Sequence, residues 1–284
     1  MKHLIWLASY PKSGNTWLRI LLDSILHHQG EPVNINQINT AGLGITRRQY
    51  FDEFLEFDSG ELSMSETNFF KRKYYLQFGF DAVEDIFIKT HEANVMVGDR
   101  EHLIPEEVTK LCIYIVRNPL DIVGSLASHY HVGIDKAIEI MGNNQFTSFR
   151  PKEGITSNVP EFIGDWSLNV KSWLNSKELP LILVKYEELL DQPIETLSKI
   201  LSALNLPVIN TILQRALVNH NFTRLANQEK DQGFREKIVD SRGFFRKGKS
   251  GSWKEELTQR QIQRVVNTHH EVMVKLNYTG FIKD

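Results

Sequence analysis

The sequence has a single cysteine, Cys112, in 284 residues. That excludes an internal disulfide framework and a cysteine-rich zinc site. No apolar run approaches the ~18 residues that a membrane span needs. The first residues, Met-Lys-His-Leu-Ile-Trp-Leu-Ala-Ser-Tyr-Pro-Lys, hold an apolar run too short for a signal h-region. A cytoplasmic location is the resulting expectation. Charge of one sign is not in excess: the formal net charge is −2, which gives no support for whole-molecule attraction to nucleic acid or an anionic membrane. HExxH, CxxC, Gly-x-Ser-x-Gly and DxDxDG patterns are absent, so no metal site is indicated. There is no fixed-period repeat and no low-complexity tract. The remaining composition, 41% hydrophobic and 24% charged, is that of a soluble globular chain. The length suffices to bury a real core, and residues 1–284 read as one domain.

Short apolar runs alternate with helical patterns. His3 to Ser9 reads as a buried strand that stops at Tyr-Pro-Lys-Ser-Gly-Asn. From Thr16, apolar residues at Trp17, Ile20, Leu21, Ile25 and Leu26 have helical spacing. Asp85-Ile-Phe-Ile-Lys, Leu111-Cys-Ile-Tyr-Ile-Val and Leu181-Ile-Leu-Val read as further strands. Helices are expected after Pro119, which suits a first helical turn, from about Ile194 to Leu204, and from Glu256 to Leu276. This alternation predicts an α/β fold with a parallel sheet covered on both faces. In such sheets ligands sit outside the carboxyl ends of the strands. Two segments, 34–80 and 131–160, fit the alternation poorly. The first carries ten Phe or Tyr between Tyr50 and Phe80, and the second Gly133, Gly142, Pro151, Gly154 and Pro160. Long irregular segments of this kind are lids, binding loops or peripheral packing.

Four short motifs carry chemistry. Tyr10-Pro11-Lys12-Ser13-Gly14-Asn15-Thr16-Trp17 joins a strand to a helix through a glycine turn. It directs backbone N–H groups and the positive end of the helix toward one point, which suits a phosphate. Lys12 adds charge, and Ser13 and Thr16 add hydroxyls. It is not a Walker A loop, because the lysine precedes the only glycine; a plain strand–helix turn with a solvated lysine is the competing reading. Arg117 at a strand end can fork onto a phosphate, with Ser125 two turns along the helix as a further donor. Asp121 then falls in a favourable first-turn position. The alternative is a helix start whose arginine pairs with a surface carboxylate. The tract from Arg242 to Lys254 has five basic residues, three glycines and no acid. Its glycines let N–H groups approach an anion, and a flexible basic loop is the plainer alternative. Lys89-Thr90-His91 ends a strand, where His91 is either a general base or a structural histidine.

Taken together and in order, these motifs resemble the PAPS-dependent sulfotransferases (PAPS is 3′-phosphoadenosine 5′-phosphosulfate). The residues that carry the resemblance are Tyr-Pro-Lys-Ser-Gly-Asn-Thr-Trp at 10–17, Lys-Thr-His at 89–91, Arg-Asn-Pro-Leu-Asp…Ser at 117–125, Lys-Tyr-Glu-Glu-Leu at 185–189 and Arg-Lys-Gly-Lys-Ser-Gly-Ser-Trp-Lys at 246–254. The resemblance implies a P-loop-kinase-like three-layer α/β core that works without a metal, with PAPS as donor and PAP as product. It implies that Lys12, Ser13, Gly14, Asn15 and Thr16 cradle the 5′-phosphosulfate. Arg117 and Ser125 would hold the 3′-phosphate, with Arg246, Lys247 and Gly248 closing over it. Trp17, Tyr186 and Phe222 would contact the adenosine. His91 would take the acceptor proton, with Glu92 as a second candidate base, while Lys12 and Lys89 stabilise the transferring group. Segments 34–80 and 131–160 would cover the substrate. The family's dimerisation element is kept only at Lys254 and Thr258, with Gln259 and Gln263 at its other fixed positions, so the oligomeric state stays open. The opening segment looks most like bacterial enzymes acting on secondary metabolites. The acceptor would be a small molecule sulfated at a hydroxyl or a nitrogen, and the aromatic residues at 50–80 suit an apolar or planar one. A P-loop kinase or nucleotide hydrolase is the enzymatic alternative, and an inactive nucleotide-binding module the non-enzymatic one.

Overall fold

The computed structural model describes residues 2–40, 45–98, 101–148, 157–237 and 243–280. Arg242, Pro151 and Gly154 lie outside the described residues. A four-stranded parallel sheet carries the fold, in the order β2-β1-β3-β6, with β1 Leu4–Ser9, β2 Ile86–Thr90, β3 Thr109–Val116 and β6 Leu181–Lys185. β1 and β2 run in register from Leu4 beside Ile86 to Ala8 beside Thr90. Every residue of β1 is buried, which explains its continuous apolar run. All four expected strands form. Their carboxyl ends hand the chain to Tyr10, His91, Arg117 and Tyr186, the segments in which the chemistry was expected.

The chain divides into two compact units. The first holds Met1–Tyr10, Ala41–Tyr114 and Asn144–Ile182, and the second Pro11–Thr40, Ile115–Asn143 and Leu183–Asp284. The first unit contains α2 Arg48–Leu55, α3 Met64–Asp81, the two-residue strands β4 Thr147–Ser148 and β5 Glu161–Phe162, and α6 Trp166–Leu174. Its core includes Trp6, which meets Tyr75 edge-on at 5.1 Å and donates to Thr109 Oγ1 at 3.0 Å. Tyr114 stacks on Trp173 in the same unit at 5.9 Å.

The second unit contains α1 Asn15–His28, α4 Pro119–His129, α5 Ile134–Met141, α7 Tyr186–Asp191, α8 Pro193–Ala203, α9 Asn210–Asn219, α10 Phe222–Gln232, the short α11 Trp253–Glu256 and α12 Gln259–Lys275. Ile20, Val33, Ile35, Ile38, Leu225 and Phe234 form a buried cluster there, with Trp17, Phe244 and Phe245 packed against it. Among the described residues no helix is long and apolar enough to cross a membrane.

Three expectations need correction. Much of 34–80 is helical rather than irregular. α3 begins in a capping box in which Ser63 accepts from the Glu66 N–H and the Glu66 side chain answers the Ser63 N–H. Its buried residues are Thr67, Asn68, Lys71, Arg72, Tyr75 and Gly79, so helical spacing is present without an apolar stripe to reveal it. Segment 131–160 likewise contains α5 and β4, whose antiparallel partner β5 follows directly at Glu161. The final helix starts at Gln259, not Glu256, because Leu257 is extended (φ −108°, ψ 136°) and Thr258 caps a new start by accepting from the Gln261 N–H. Thr258, one of the two positions at which the family's dimerisation element is kept, is that cap.

Candidate active site

The second unit holds an anion cradle. After Pro11 the chain turns through Lys12 at φ 69°, an unusual left-handed conformation for a lysine, and Gly14 at φ 101°. A Cβ on Gly14 would lie 2.8 Å from Tyr186 Cε2, so only glycine fits beneath that ring. This turn ends on the N-terminus of the fourteen-residue α1, whose first turn carries no acidic residue. Ser13 is fully buried and its Oγ has no partner. A buried hydroxyl left unpaired is costly unless a ligand satisfies it. Lys12 Nζ lies 3.8 Å from the centre of the Phe244 ring. Asn15 and Thr16 are buried in the first turn, and Thr16 Oγ1 donates to Glu236 at 3.5 Å.

Arg117 is buried and stacks its guanidinium on the Tyr186 ring, 4.2 Å from the centroid. Its Nη2 donates to the Lys249 carbonyl at 2.9 Å and its Nη1 to the Lys12 carbonyl at 3.4 Å. Nε is buried and unpartnered. Trp17 meets the edge of Tyr186 at 6.1 Å and donates to the His220 carbonyl. Phe222 opens α10 and packs against Gly248, where a Cβ would come within 2.9 Å of the Phe222 Cβ; Gly248 itself sits at φ 60°. Ser125 is half-buried on α4. The second unit therefore brings Lys12, Ser13, Gly14, Arg117, Tyr186, Trp17, Phe222 and Gly248 into linked contact.

The basic loop after residue 243 is held by carboxylates. Glu229 on α10 accepts from the N–H groups of Phe244 and Phe245 at 2.7 and 2.9 Å. Asp121 on α4 accepts from the Gly251 and Trp253 N–H groups at 2.8 and 3.2 Å. The sequence reading assigned Asp121 to its own helix start, and the structure gives it the loop as well. Glu229 offered no sequence signal, being one of several charged residues on a polar helix.

The first unit holds the His91 site. His91 Nδ1 lies 2.8 Å from the Ser9 carbonyl oxygen and 3.2 Å from Ser9 Oγ. A carbonyl only accepts, so Nδ1 carries the proton and Nε2 is left as the basic nitrogen. The main chain of His91 is held by Asn169, a fully buried residue of α6. Asn169 Nδ2 donates to the His91 and Ile163 carbonyls at 2.9 and 3.0 Å, and its Oδ1 accepts from the Tyr114 hydroxyl at 2.8 Å.

Glu92 points inward. Its carboxylate accepts from Lys71 at 2.5 Å and from the Tyr75 hydroxyl at 3.0 Å, so this second candidate base is built into the core. Glu161 on β5 is buried in the same cluster and accepts from Ser148 at 3.3 Å. Burial, reinforced by the Glu92 charge and opposed by Lys71 and Lys89, pushes its carboxyl up to about 7. Lys89 is half-buried at the end of β2. Lys71 and Glu161 escaped the sequence reading because each lies in a segment without regular apolar spacing.

A strand–glycine turn–helix cradle beside a stacked arginine, on a parallel α/β sheet, is the arrangement of a nucleotide-binding α/β protein. The family model described as sulfotransferase domain matches residues 2–277. The chain belongs to the PAPS-dependent sulfotransferase family, whose reaction is transfer of a sulfuryl group from PAPS to a small-molecule acceptor. It is 28% identical to cytosolic sulfotransferase 12 of Arabidopsis thaliana over 94% of this chain and 76% of that protein. It is 22% identical to flavonol 3-sulfotransferase of Flaveria bidentis over 98% of this chain and 83% of that one. The fold is similar to the crystal structure of retinol dehydratase in a complex with retinol and PAP, with a TM-score of 0.62 and 16% identity over 96% of this chain and 82% of that chain.

The cradle fits the donor: the unpaired Ser13 hydroxyl, the α1 N-terminus and Lys12 suit the phosphosulfate, and the stacked Tyr186–Arg117 pair suits a second phosphate beside an aromatic base. Among the described residues, no three His, Cys, Asp or Glu side chains group as a metal-binding cluster.

Proposed function

We propose that His91 is the general base for sulfuryl transfer, and that Lys12, Ser13, Gly14, Asn15 and Thr16 hold the 5′-phosphosulfate. Arg117, Ser125, Arg246, Lys247 and Gly248 take the 3′-phosphate, and Trp17, Tyr186 and Phe222 the adenosine. The donor supplies an activated sulfuryl group whose bond to the phosphate oxygen breaks as the acceptor's bond to sulfur forms. His91 Nε2 accepts the acceptor proton, in a tautomer fixed by the Ser9 carbonyl. Lys12 and Lys89 stabilise charge developing on the bridging oxygen and the transferring group, where a fixed ammonium helps more in the transition state than in the ground state.

The acceptor is read as an apolar or planar secondary metabolite with a hydroxyl or amine, covered by segments 34–80 and 131–160. The names flavonol 3-sulfotransferase and retinol dehydratase among its relatives support an apolar acceptor. Relatives described as cytosolic support a cytoplasmic location. A bacterial, secondary-metabolite origin is an extension of the same reading and rests on the opening motif alone.

The observation that carries the proposal is the hydrogen bond between His91 Nδ1 and the Ser9 carbonyl. The test is His91→Ala. Sulfuryl transfer from radiolabelled PAPS is expected to fall to near background while calorimetry shows PAP binding retained. Substantial remaining turnover would remove His91 from the mechanism.

A further inference from the structure

Arg246 and Lys247 both face one carboxylate. Arg246 forks onto Glu256, with Nη1 2.6 Å from Oε1 and Nη2 3.1 Å from Oε2. Lys247 Nζ lies 2.5 Å from the same Oε1. The neighbouring Glu255 is 3.9 Å from Lys247 and largely exposed, so it contributes little. The Glu256 carboxylate is mostly buried and rests on α4 at Gly124, where any Cβ would overlap its Oε2 and lie 2.9 Å from Arg246 Nη2. Gly124 directly precedes Ser125. Burial pushes the Glu256 carboxyl up, but the hydrogen bonds and charges of Arg246 and Lys247 together outweigh it and hold the group below its ordinary range.

The backbone of the loop is held by other carboxylates. Asp121 and Glu229 already accept from the N–H groups of Phe244, Phe245, Gly251 and Trp253. Glu256 instead neutralises the side-chain charges that a phosphate would use.

We propose that Glu256 is an internal counter-ion seated in the 3′-phosphate position, and that a 3′-phosphorylated nucleotide binds by displacing it. This rests on the assignment of Arg246 and Lys247 to the 3′-phosphate. A guanidinium fork that holds one carboxylate bidentately cannot hold a phosphate in the same geometry. An incoming phosphate that left the carboxylate in place would meet like charge at close range. The net gain from the 3′-phosphate is therefore the difference between two anions on the same cations, and a nucleotide without that group leaves no cation unpaired. Glu256 thus sets how strongly the enzyme separates 3′-phosphorylated nucleotides from others, and it weakens the hold on PAP.

The test is calorimetric titration of the wild type, Glu256→Gln and Arg246→Ala with PAP and with adenosine 5′-phosphate, which lacks the 3′-phosphate. Glu256→Gln is expected to tighten PAP about tenfold and leave adenosine 5′-phosphate within about twofold, raising the ratio of the two affinities. Arg246→Ala is expected to collapse that ratio. An unchanged or weaker PAP affinity in Glu256→Gln, or equal tightening of both ligands, overturns the counter-ion role while a collapsed ratio in Arg246→Ala leaves the 3′-phosphate assignment standing. An unchanged ratio in Arg246→Ala overturns the assignment and the inference with it. Should Glu256→Gln fail to bind adenosine 5′-phosphate through misfolding, Glu256→Ala is read by the same ratio.

Discussion

Glu161 links the protein's stability to pH in a direction opposite to most surface carboxylates. Its ordinary value of 4.5 is pushed up to about 7 by burial beside the Glu92 charge, with Lys71 and Lys89 opposing. Between these values the folded protein holds a proton that the unfolded chain has released. Stability contributed at this position is therefore present below about pH 4.5 and is lost as pH rises toward 7. Moving the carboxyl from 4.5 to about 7 corresponds to roughly 3 kcal/mol. Glu161→Gln keeps the shape and the acceptor for Ser148 while removing the charge. At pH 5 the variant's advantage should be small, about 1 kcal/mol. At pH 8.5 the variant should be more stable by about 3 kcal/mol, or about 5 °C in Tm at ~2.1 cal/mol/K of unfolding entropy per residue. Urea unfolding followed by tryptophan fluorescence at the two pH values reads the difference. An advantage of the same size at both pH values, or a variant less stable at pH 8.5, would refute the assignment of a costly buried charge to Glu161.

Gly14→Ala meets both a positive φ and the Tyr186 ring. The expected destabilisation is about 2–4 kcal/mol, with PAP affinity reduced at least tenfold; an alanine variant that binds PAP as the wild type does would show that the ring can yield. Asn169→Leu leaves the Tyr114 hydroxyl and the His91 and Ile163 carbonyls without their buried partner, at about 1–3 kcal/mol each. Turnover should fall sharply while PAP binding measured by calorimetry stays within about threefold. Parallel losses of turnover and PAP binding would instead mark Asn169 as a general fold residue.

The two central strands were legible because they are buried runs: all of β1, and all of β3 except Lys110, is buried. α1 and α4 were legible from apolar spacing, and Pro119 at the first turn of α4 is reinforced by Asn118, which accepts from the Leu120 N–H. α3 was not, because its inner face is polar and is satisfied only by distant partners. Lys71 reaches Glu92 and the Pro160 carbonyl, and Arg72 reaches Glu107 and the His102 carbonyl. No local pattern announces pairs separated by 21 to 89 positions. The same reason hid part of the site. Gly14, Arg117 and His91 stand at strand ends, where their chemistry is exposed by position. Glu256, Glu229 and Asn169 act through contacts that exist only once helices pack. Even Gly248, expected to approach a phosphate, has a second requirement visible only in three dimensions: it makes room for Phe222.

The account depends on the loop from Lys12 to Thr16 being the seat of the donor's 5′ group. A crystal structure of the protein with PAP tests this most directly. The 5′-phosphate should accept a hydrogen bond from Ser13 Oγ and from N–H groups at the start of α1, with Tyr186 and Arg117 still stacked beside it. PAP bound elsewhere, with Ser13 Oγ still buried and unpaired, would contradict the account.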